Sequence, residues 1–322
     1  MDWTLDLLGV ALGFVFLAKG AAWLVDGGSI LGRRWGVRPF VVGLTIVAWG
    51  TSLPEVVVST VAAAQGRPAA SLGNVLGSNI ANIGLVMGVA ALVLPAVFSR
   101  RIFLREGFWL VGSLVLLWGL MFDGELQRMD AMLLLGVFVA HNVHLFRSRS
   151  GGGAARDVEE PSSPVGSMPP WGLVLAGSGV IYLGAQAVMW AGTSIANRLG
   201  MGDAFLGLTI LALGSSMPEM FACLASARRG VAGMSLGNVI GSNIFNTLAV
   251  TGVAAALSPF GGDEQIEMAL GRDFPLCLVF TALLLVLPVL AFRKTRSTWG
   301  KWPGFILLSA YAAYLTFISL SG

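Results

Sequence analysis

Residues 48–82 read AWGTSLPEVVVSTVAAAQGRPAASLGNVLGSNIAN, a stretch that sets a glutamate, several hydroxyls and asparagines among apolar residues. The apolar run around its first half, residues 40–61, is long enough to span a bilayer. A carboxylate such as Glu55 near the middle of a span is costly and marks a functional site by default. The stretch then recurs. Residues 212–246, ALGSSMPEMFACLASARRGVAGMSLGNVIGSNIFN, match it without a gap at a shift of 164. Pro54 falls on Pro218, Glu55 on Glu219, Ser78 on Ser242 and Asn82 on Asn246. Two intramembrane glutamates in register argue for a paired site, with the rest of the chain as its scaffold.

Outside the repeats the composition gives the class. Of 322 residues, 56% are hydrophobic and 11% charged, and mean hydropathy is +0.80. Soluble domains carry roughly 25% charged residues, so the fold class is an all-α polytopic membrane protein whose partner is the lipid bilayer. The net charge of +3 is not read as nucleic-acid affinity, since Lys and Arg in such proteins mark cytoplasmic loops. Nothing points to a cofactor or an obligate protein partner. Cys223 and Cys277 lack metal-site spacing, and the start MDWTLDLLG has no basic segment of a cleavable signal.

Ten spans are expected, near 5–26, 39–63, 69–95, 106–122, 130–146, 170–193, 204–227, 232–258, 273–292 and 303–320. Residues 147–168, rich in Gly, Ser, Pro and charge, read as a flexible linker. It divides the chain into two five-span halves, 1–146 and 169–322. Fifteen of the twenty Lys and Arg, among them Arg33, Arg105, Arg147, Arg229 and Lys294, fall on one side of this frame. Arg67, Arg128, Arg198 and Arg272 fall on the other, and Lys19 lies within the first span. The basic side is the cytoplasmic one. The linker therefore faces the cytoplasm and both termini face outward, in a cell (inner) membrane.

An odd number of spans separates equivalent positions, so the two repeats have inverted topology. The charges test this separately. Arg33, Arg34 and Arg38 precede the first motif, where the second has Asn197, Arg198 and Gly202. Ala64 and Gln65 follow the first, where the second has Arg228 and Arg229. The basic end has moved from the start of the motif to its finish, as in many secondary transporters.

Gly50-Thr51-Ser52-Leu53-Pro54-Glu55 is expected to break its helix. Pro54 offers no N–H to the Gly50 carbonyl and its ring crowds that turn, while the hydroxyls satisfy stray backbone groups. Thr51 and Glu55 are four apart and share a helical face. Gly214-Ser215-Ser216-Met217-Pro218-Glu219 repeats the arrangement. In the second part of each motif, Gly73 and Gly77, and Gly237 and Gly241, have the small-xxx-small spacing of close helix contacts. Ser78 with Asn82, and Ser242 with Asn246, are again four apart. Two carboxylates, hydroxyls and amides near mid-membrane suit hard cations. No thiolate or imidazole cluster favours a softer metal. Two ionised glutamates neutralise one Ca2+; bare, they repel and one takes up a proton. Replacement of Ca2+ by Na+ or H+, that is exchange, is what this electrostatics favours.

The paired GTSLPE…GNVLGSNIAN and GSSMPE…GNVIGSNIFN resemble the two α-repeats of the cation/calcium exchanger superfamily, in its prokaryotic sodium/calcium exchanger branch. The resemblance implies a four-helix core holding several cation sites, with the first and sixth helices sliding across it. Carried over by position, it implies as ligands Ala48 (carbonyl), Thr51, Ser52, Glu55, Ser78 and Asn82 from the first repeat. From the second come Ala212 (carbonyl), Ser215, Ser216, Glu219, Ser242 and Asn246. Two departures stand out: serine at 215 where many members have threonine, and Asn246 where several have aspartate. The transported ions are then Ca2+ and Na+, with H+ as the alternative.

Asn74, Asn79, Asn238 and Asn243 read as packing or capping residues. Lys19 is expected to snorkel or to pair with Asp26. His141 and His144 read as solvated or packing residues, with pH sensing the sharper option. Asp263, Glu264 and Glu267 read as a solvated outer loop. The leading function is Na+-driven Ca2+ antiport. Ca2+/H+ exchange, a cation channel and an intramembrane hydrolase follow in that order; the last lacks a base beside its hydroxyls.

Overall fold

Apolar runs of this length become helices because a helix satisfies its own backbone where water cannot. The computed structural model describes residues 3–93, 96–147, 168–199, 212–261, 264–290 and 296–321. Its elements are α1 (Thr4–Arg34), α2 (Pro39–Thr51), α3 (Leu53–Ala64), α4 (Pro68–Val93), β1 (Ala96–Ser99), α5 (Arg100–Leu120) and α6 (Arg128–Arg147). Then come α7 (Pro170–Arg198), α8 (Ala212–Ser215), α9 (Met217–Arg228), α10 (Ala232–Leu257), α11 (Glu264–Leu290), β2 (Arg296–Trp299) and α12 (Lys301–Ser321). Among the described residues, eight helices are long and apolar enough to cross a membrane, or nine if the bent pair α2–α3 counts as one span. The expected span 204–227 is described only from 212 onward, as α8 and α9. The expected linker lies, but for its ends, outside the described residues.

Helix is interrupted only locally among the described residues. β1 and β2 pair antiparallel, Ala96 opposite Trp299, and Leu126 and Phe260 exchange backbone bonds of 2.8 and 3.0 Å. Glu264 and Glu267, expected in a loop, lie on the first turns of α11. Ile266 and Ala269 give that turn a buried face, and acidic residues suit a helix N-terminus. Asp263 lies outside the described residues.

The two halves share element boundaries. A shift of 164 residues carries α3 onto α9 and α4 onto α10, end for end. The α3–α4 and α9–α10 turns are also alike. Gly66 and Gly230 both adopt φ +70°, and the next N–H, of Arg67 or Val231, reaches back to the Ala62 or Ser226 carbonyl. This is the Schellman stop, in which glycine takes the left-handed position without a Cβ penalty.

Close helix contacts fall at two of the four expected glycines; Gly73 and Gly77 instead border open space in the wall of a cavity. Gly237 and Gly241 of α10 lie against the Phe40 and Leu44 carbonyls of α2, with no room for a Cβ. Residue numbers rise together at these contacts, so α2 and α10 run parallel. α1 and α7 form a second seam, Gly13 against Gly184, Gly20 against Gly177 and Gly27 against Pro170. Here the numbers run oppositely: α1 and α7, equivalent at the 164 shift, are antiparallel. α4 and α10 are buried along most of their length, whereas α6 and α12 are largely exposed.

Candidate ion site

The site forms where α2 and α8 break. Ser52 leaves helical geometry (φ −87°, ψ 15°), Pro54 sits in the first turn of α3, and the axis bends by 47°. Ser216 (φ −88°, ψ 0°) and Pro218 do the same before α9. Without the Pro54 N–H, the Gly50 carbonyl loses its helical partner, so the break follows from the sequence. It places Glu55 and Glu219 in the first turns of α3 and α9, both fully buried. There each carboxylate faces the positive end of its own short helix.

Thr51, Ser52, Ser78, Asn82, Ser215, Ser216, Ser242 and Asn246 are all buried too. The halves meet through them. Ser52 Oγ donates to Glu219 Oε1 at 2.9 Å, and Ser242 Oγ reaches the same oxygen at 3.5 Å. Ser78 Oγ and Ser215 Oγ are 3.4 Å apart. The Ala48 carbonyl already accepts from the Ser52 N–H at 3.0 Å and lies 3.2 Å from Thr51 Oγ1. Ser52, three residues before Glu55, thus binds the glutamate of the other repeat. Ala212 opens α8; the residues before it, and its side chain, lie outside those described.

The unpartnered atoms are the most telling feature. Both oxygens of Glu55, Oε2 of Glu219, Ser216 Oγ and both amide atoms of Asn82 and Asn246 are buried without a hydrogen-bond partner in the protein. Burying a polar atom unpaired costs about 1–3 kcal/mol, more when charged. Here the cost falls repeatedly on residues that a cation could bridge. Asn82 and Asn246 each begin a widened turn of i→i+5 type, Asn82–Met87 and Asn246–Val250. Such turns concentrate at functional sites because they re-aim side chains. Every candidate ligand can offer an oxygen, and two of the residues are carboxylates, which fits hard cations such as Ca2+ and Na+.

Neighbouring asparagines do the packing expected of them. Asn74 Nδ2 donates to Ser59 Oγ at 2.9 Å, and at the equivalent place Asn238 Nδ2 reaches Cys223 Sγ at 3.5 Å. Asn79 Nδ2 donates to Thr247 Oγ1 at 3.0 Å, joining α4 to α10. Asn238 adds one thing the sequence reading missed: its Oδ1 lies 3.3 Å from Thr51 Oγ1 and steadies the break in α2.

A cavity of about 560 Å³ reaches Ser78 and Ser215 between α3, α4, α7, α11 and α12, with Gln186, Arg272 and Asp273 in its wall. Lys19 is exposed and does not pair with Asp26, which is instead bound by Arg229. Seven residues place Lys19 two turns from Asp26, about 10 Å along the helix, whereas the end of α9 packs directly against it. His141 is buried, 3.1 Å from Glu106 Oε2 and tilted against Trp109 with ring centroids 4.9 Å apart, while His144 is exposed. Glu106, buried on α5, went unnoticed in the sequence because nothing marks its partner 35 residues on.

A helical membrane protein with buried oxygens converging from two broken helices belongs to the class of ion transporters. The chain belongs to the sodium/calcium exchanger protein family, whose model matches residues 5–147 and 169–320. It is 38% identical to the putative antiporter CaxA of Alkalimonas amylolytica over 95% of this chain and 96% of that one. It is 30% identical to the sodium/calcium exchanger MaX1 of Methanosarcina acetivorans over 97% and 98% of the two chains. Among solved structures it resembles the sodium-calcium exchanger NCX_Mj soaked with Na+ and Sr2+, with TM-score 0.80, 27% identity and coverage of 98% and 99%. The chain is thus a multi-pass membrane transporter of the cation antiporter type, not an enzyme.

Proposed function

We propose that the chain exchanges Ca2+ for Na+ across the cell membrane by alternating access. The observation that carries this reading is the set of buried, unpartnered oxygens on Glu55, Glu219, Asn82, Asn246 and Ser216, gathered where two broken helices meet. Two glutamates balance the charge of one Ca2+. The neutral oxygens of Thr51, Ser52, Ser215 and Ser216 supply what Na+ needs and a proton does not. The ligand set is the twelve residues named from the sequence. The antiparallel α1 and α7, equivalent in the repeat, support ten spans in two inverted halves, 1–146 and 169–322, with an inward linker and outward termini.

Ca2+/H+ exchange is the second reading, favoured by two carboxylates facing each other in one buried site. Equilibrium competition in detergent separates the two. Na+ at tens of millimolar is expected to displace Ca2+ steeply at fixed pH. Indifference to Na+ together with displacement by protons would leave the second reading standing.

A further inference from the structure

Among the described residues, α1 makes two ion pairs, one toward each end, and they join different things. Asp6 pairs with Arg198 at 3.0 Å, tying α1 to its seam partner α7. Asp26, about 30 Å away by helical rise, is bound by Arg229 at the end of α9. Arg229 Nε and Nη2 donate to Asp26 Oδ1 and Oδ2 at 2.5 and 2.8 Å. Arg229 Nη1 also reaches the Ala225 carbonyl at 3.4 Å, and the left-handed Gly230 fixes the chain beyond it. The guanidinium is therefore held by α9 and grips a buried carboxylate on α1.

The α1–α7 pair otherwise meets the ion-site helices through apolar or small contacts. Phe14 lies 5.9 Å from Phe221, Gly50 faces Leu24 and Ser178, and Gly214 faces Met189. Both helix breaks thus lie against this pair, and moving access from the cavity side to the opposite face requires the pair to shift against them. Apolar contacts can re-form after a shift of one residue, about 1.5 Å. A bidentate pair is directional and cannot. It also has no inverted counterpart: at the 164 shift Asp26 corresponds to Trp190 and Arg229 to Gln65. The cavity at Ser78 and Ser215 meets the middle of α7, at Tyr182, Gln186 and Met189, about three to five turns from the end of α7 that packs against Gly27.

We propose that Asp26 and Arg229 are positioning residues that latch α1–α7 to α9 in one of the two access states. They thereby set the balance between the faces to which the ion site opens. The proposal rests on the antiport reading above.

The test compares full-length wild type, Asp26→Asn, Arg229→Gln and the exchanged pair Asp26→Arg with Arg229→Asp. Two quantities are read: the ratio of half-saturating Ca2+ concentrations at the two faces of oriented proteoliposomes, and hydrogen exchange in detergent. Apparent affinity at a face scales with the population open to it. Each single variant is expected to shift the ratio by roughly tenfold in the same direction. Exchange should rise at residues 225–234 and fall at 182–194, and the exchanged pair should return both quantities toward wild type. An unmoved ratio, or exchange rising at 225–234 alone, makes the pair a local clamp and overturns the proposal. If the exchanged pair does not fold, agreement or disagreement of the two single variants decides. Wild type without any Ca2+ flux refutes the antiport reading instead; the reciprocal or one-ended exchange pattern then decides the latch by itself.

Discussion

Glu55→Gln keeps the shape of a fully buried side chain and removes one charge. Both Glu55 oxygens lack a hydrogen-bond partner, so the glutamine breaks no bond within the protein. Without cation the variant should unfold at the wild-type temperature or above it, because an amide cannot ionise and so removes the cost of holding a second buried carboxylate in the site. With Ca2+ the balance reverses. At about 2.4 Å and an effective dielectric constant of about 20, a carboxylate and a divalent ion attract by about 14 kcal/mol. Dehydration of both offsets most of this; removing one partner of a buried charge pair costs about 3–5 kcal/mol net. Ca2+ affinity should therefore fall roughly 100- to 4,000-fold. Thermal unfolding in detergent, with and without Ca2+, reads both effects. Wild type at about 100 times its Kd should gain about 2.7 kcal/mol, and the variant about 0.4 kcal/mol or less at the same concentration. A variant destabilised equally with and without Ca2+ would show Glu55 to be structural, and a variant that keeps the Ca2+ gain would remove it from the site. Glu219→Gln should behave alike but lose some cation-free stability, since Ser52 donates to its carboxylate at 2.9 Å.

Three further outcomes follow from the geometry. Ser52→Ala removes that charge-assisted bond, worth about 1.5–3 kcal/mol, and should weaken Ca2+ binding at least as much as Na+ binding; equal binding of both ions to the variant and wild type would exclude Ser52. Gly237→Ala drives a Cβ into the Phe40 carbonyl, and should lower the unfolding temperature and the transport rate together; a neutral result would mean that α2 and α10 can separate freely. Asn246→Asp adds a third carboxylate one turn beyond Ser242, so protons should compete with Ca2+ more strongly. Flux should then fall on acidification at a higher pH than in wild type. Superimposable pH profiles would place Asn246 outside the ion site.

The core was legible in the sequence because its determinants are local. Pro54 and Pro218 announce the breaks, and a duplicated motif puts the two glutamates together without knowledge of the fold. What could not be read depended on partners distant in sequence. Pairing of Asp26 with Lys19 on its own helix is one of two options the sequence offers for that lysine, whereas Arg229, 203 residues away from Asp26, holds the carboxylate. Glu106 gained meaning only once α6 brought His141 beside it. Glu264 and Glu267 looked like loop because their charge was visible and the buried face of Ile266 was too short to register. The length of α1, 31 residues against an expected span of 22, escaped for a related reason. Within its last two turns Gly28 and Gly32 are buried against Val42 of α2 and Gly27 against the start of α7, so packing holds them helical where hydropathy alone would end the span.

Ca2+ flux in proteoliposomes, driven in turn by a Na+ gradient at equal pH and by a pH gradient without Na+, tests the central claim most directly. Na+-driven Ca2+ movement is expected, with a rate that follows membrane voltage, because about three Na+ entering a site of two carboxylates carry one charge more than Ca2+. Little flux is expected from the pH gradient. Ca2+ movement that follows the pH gradient and ignores Na+ would contradict the account.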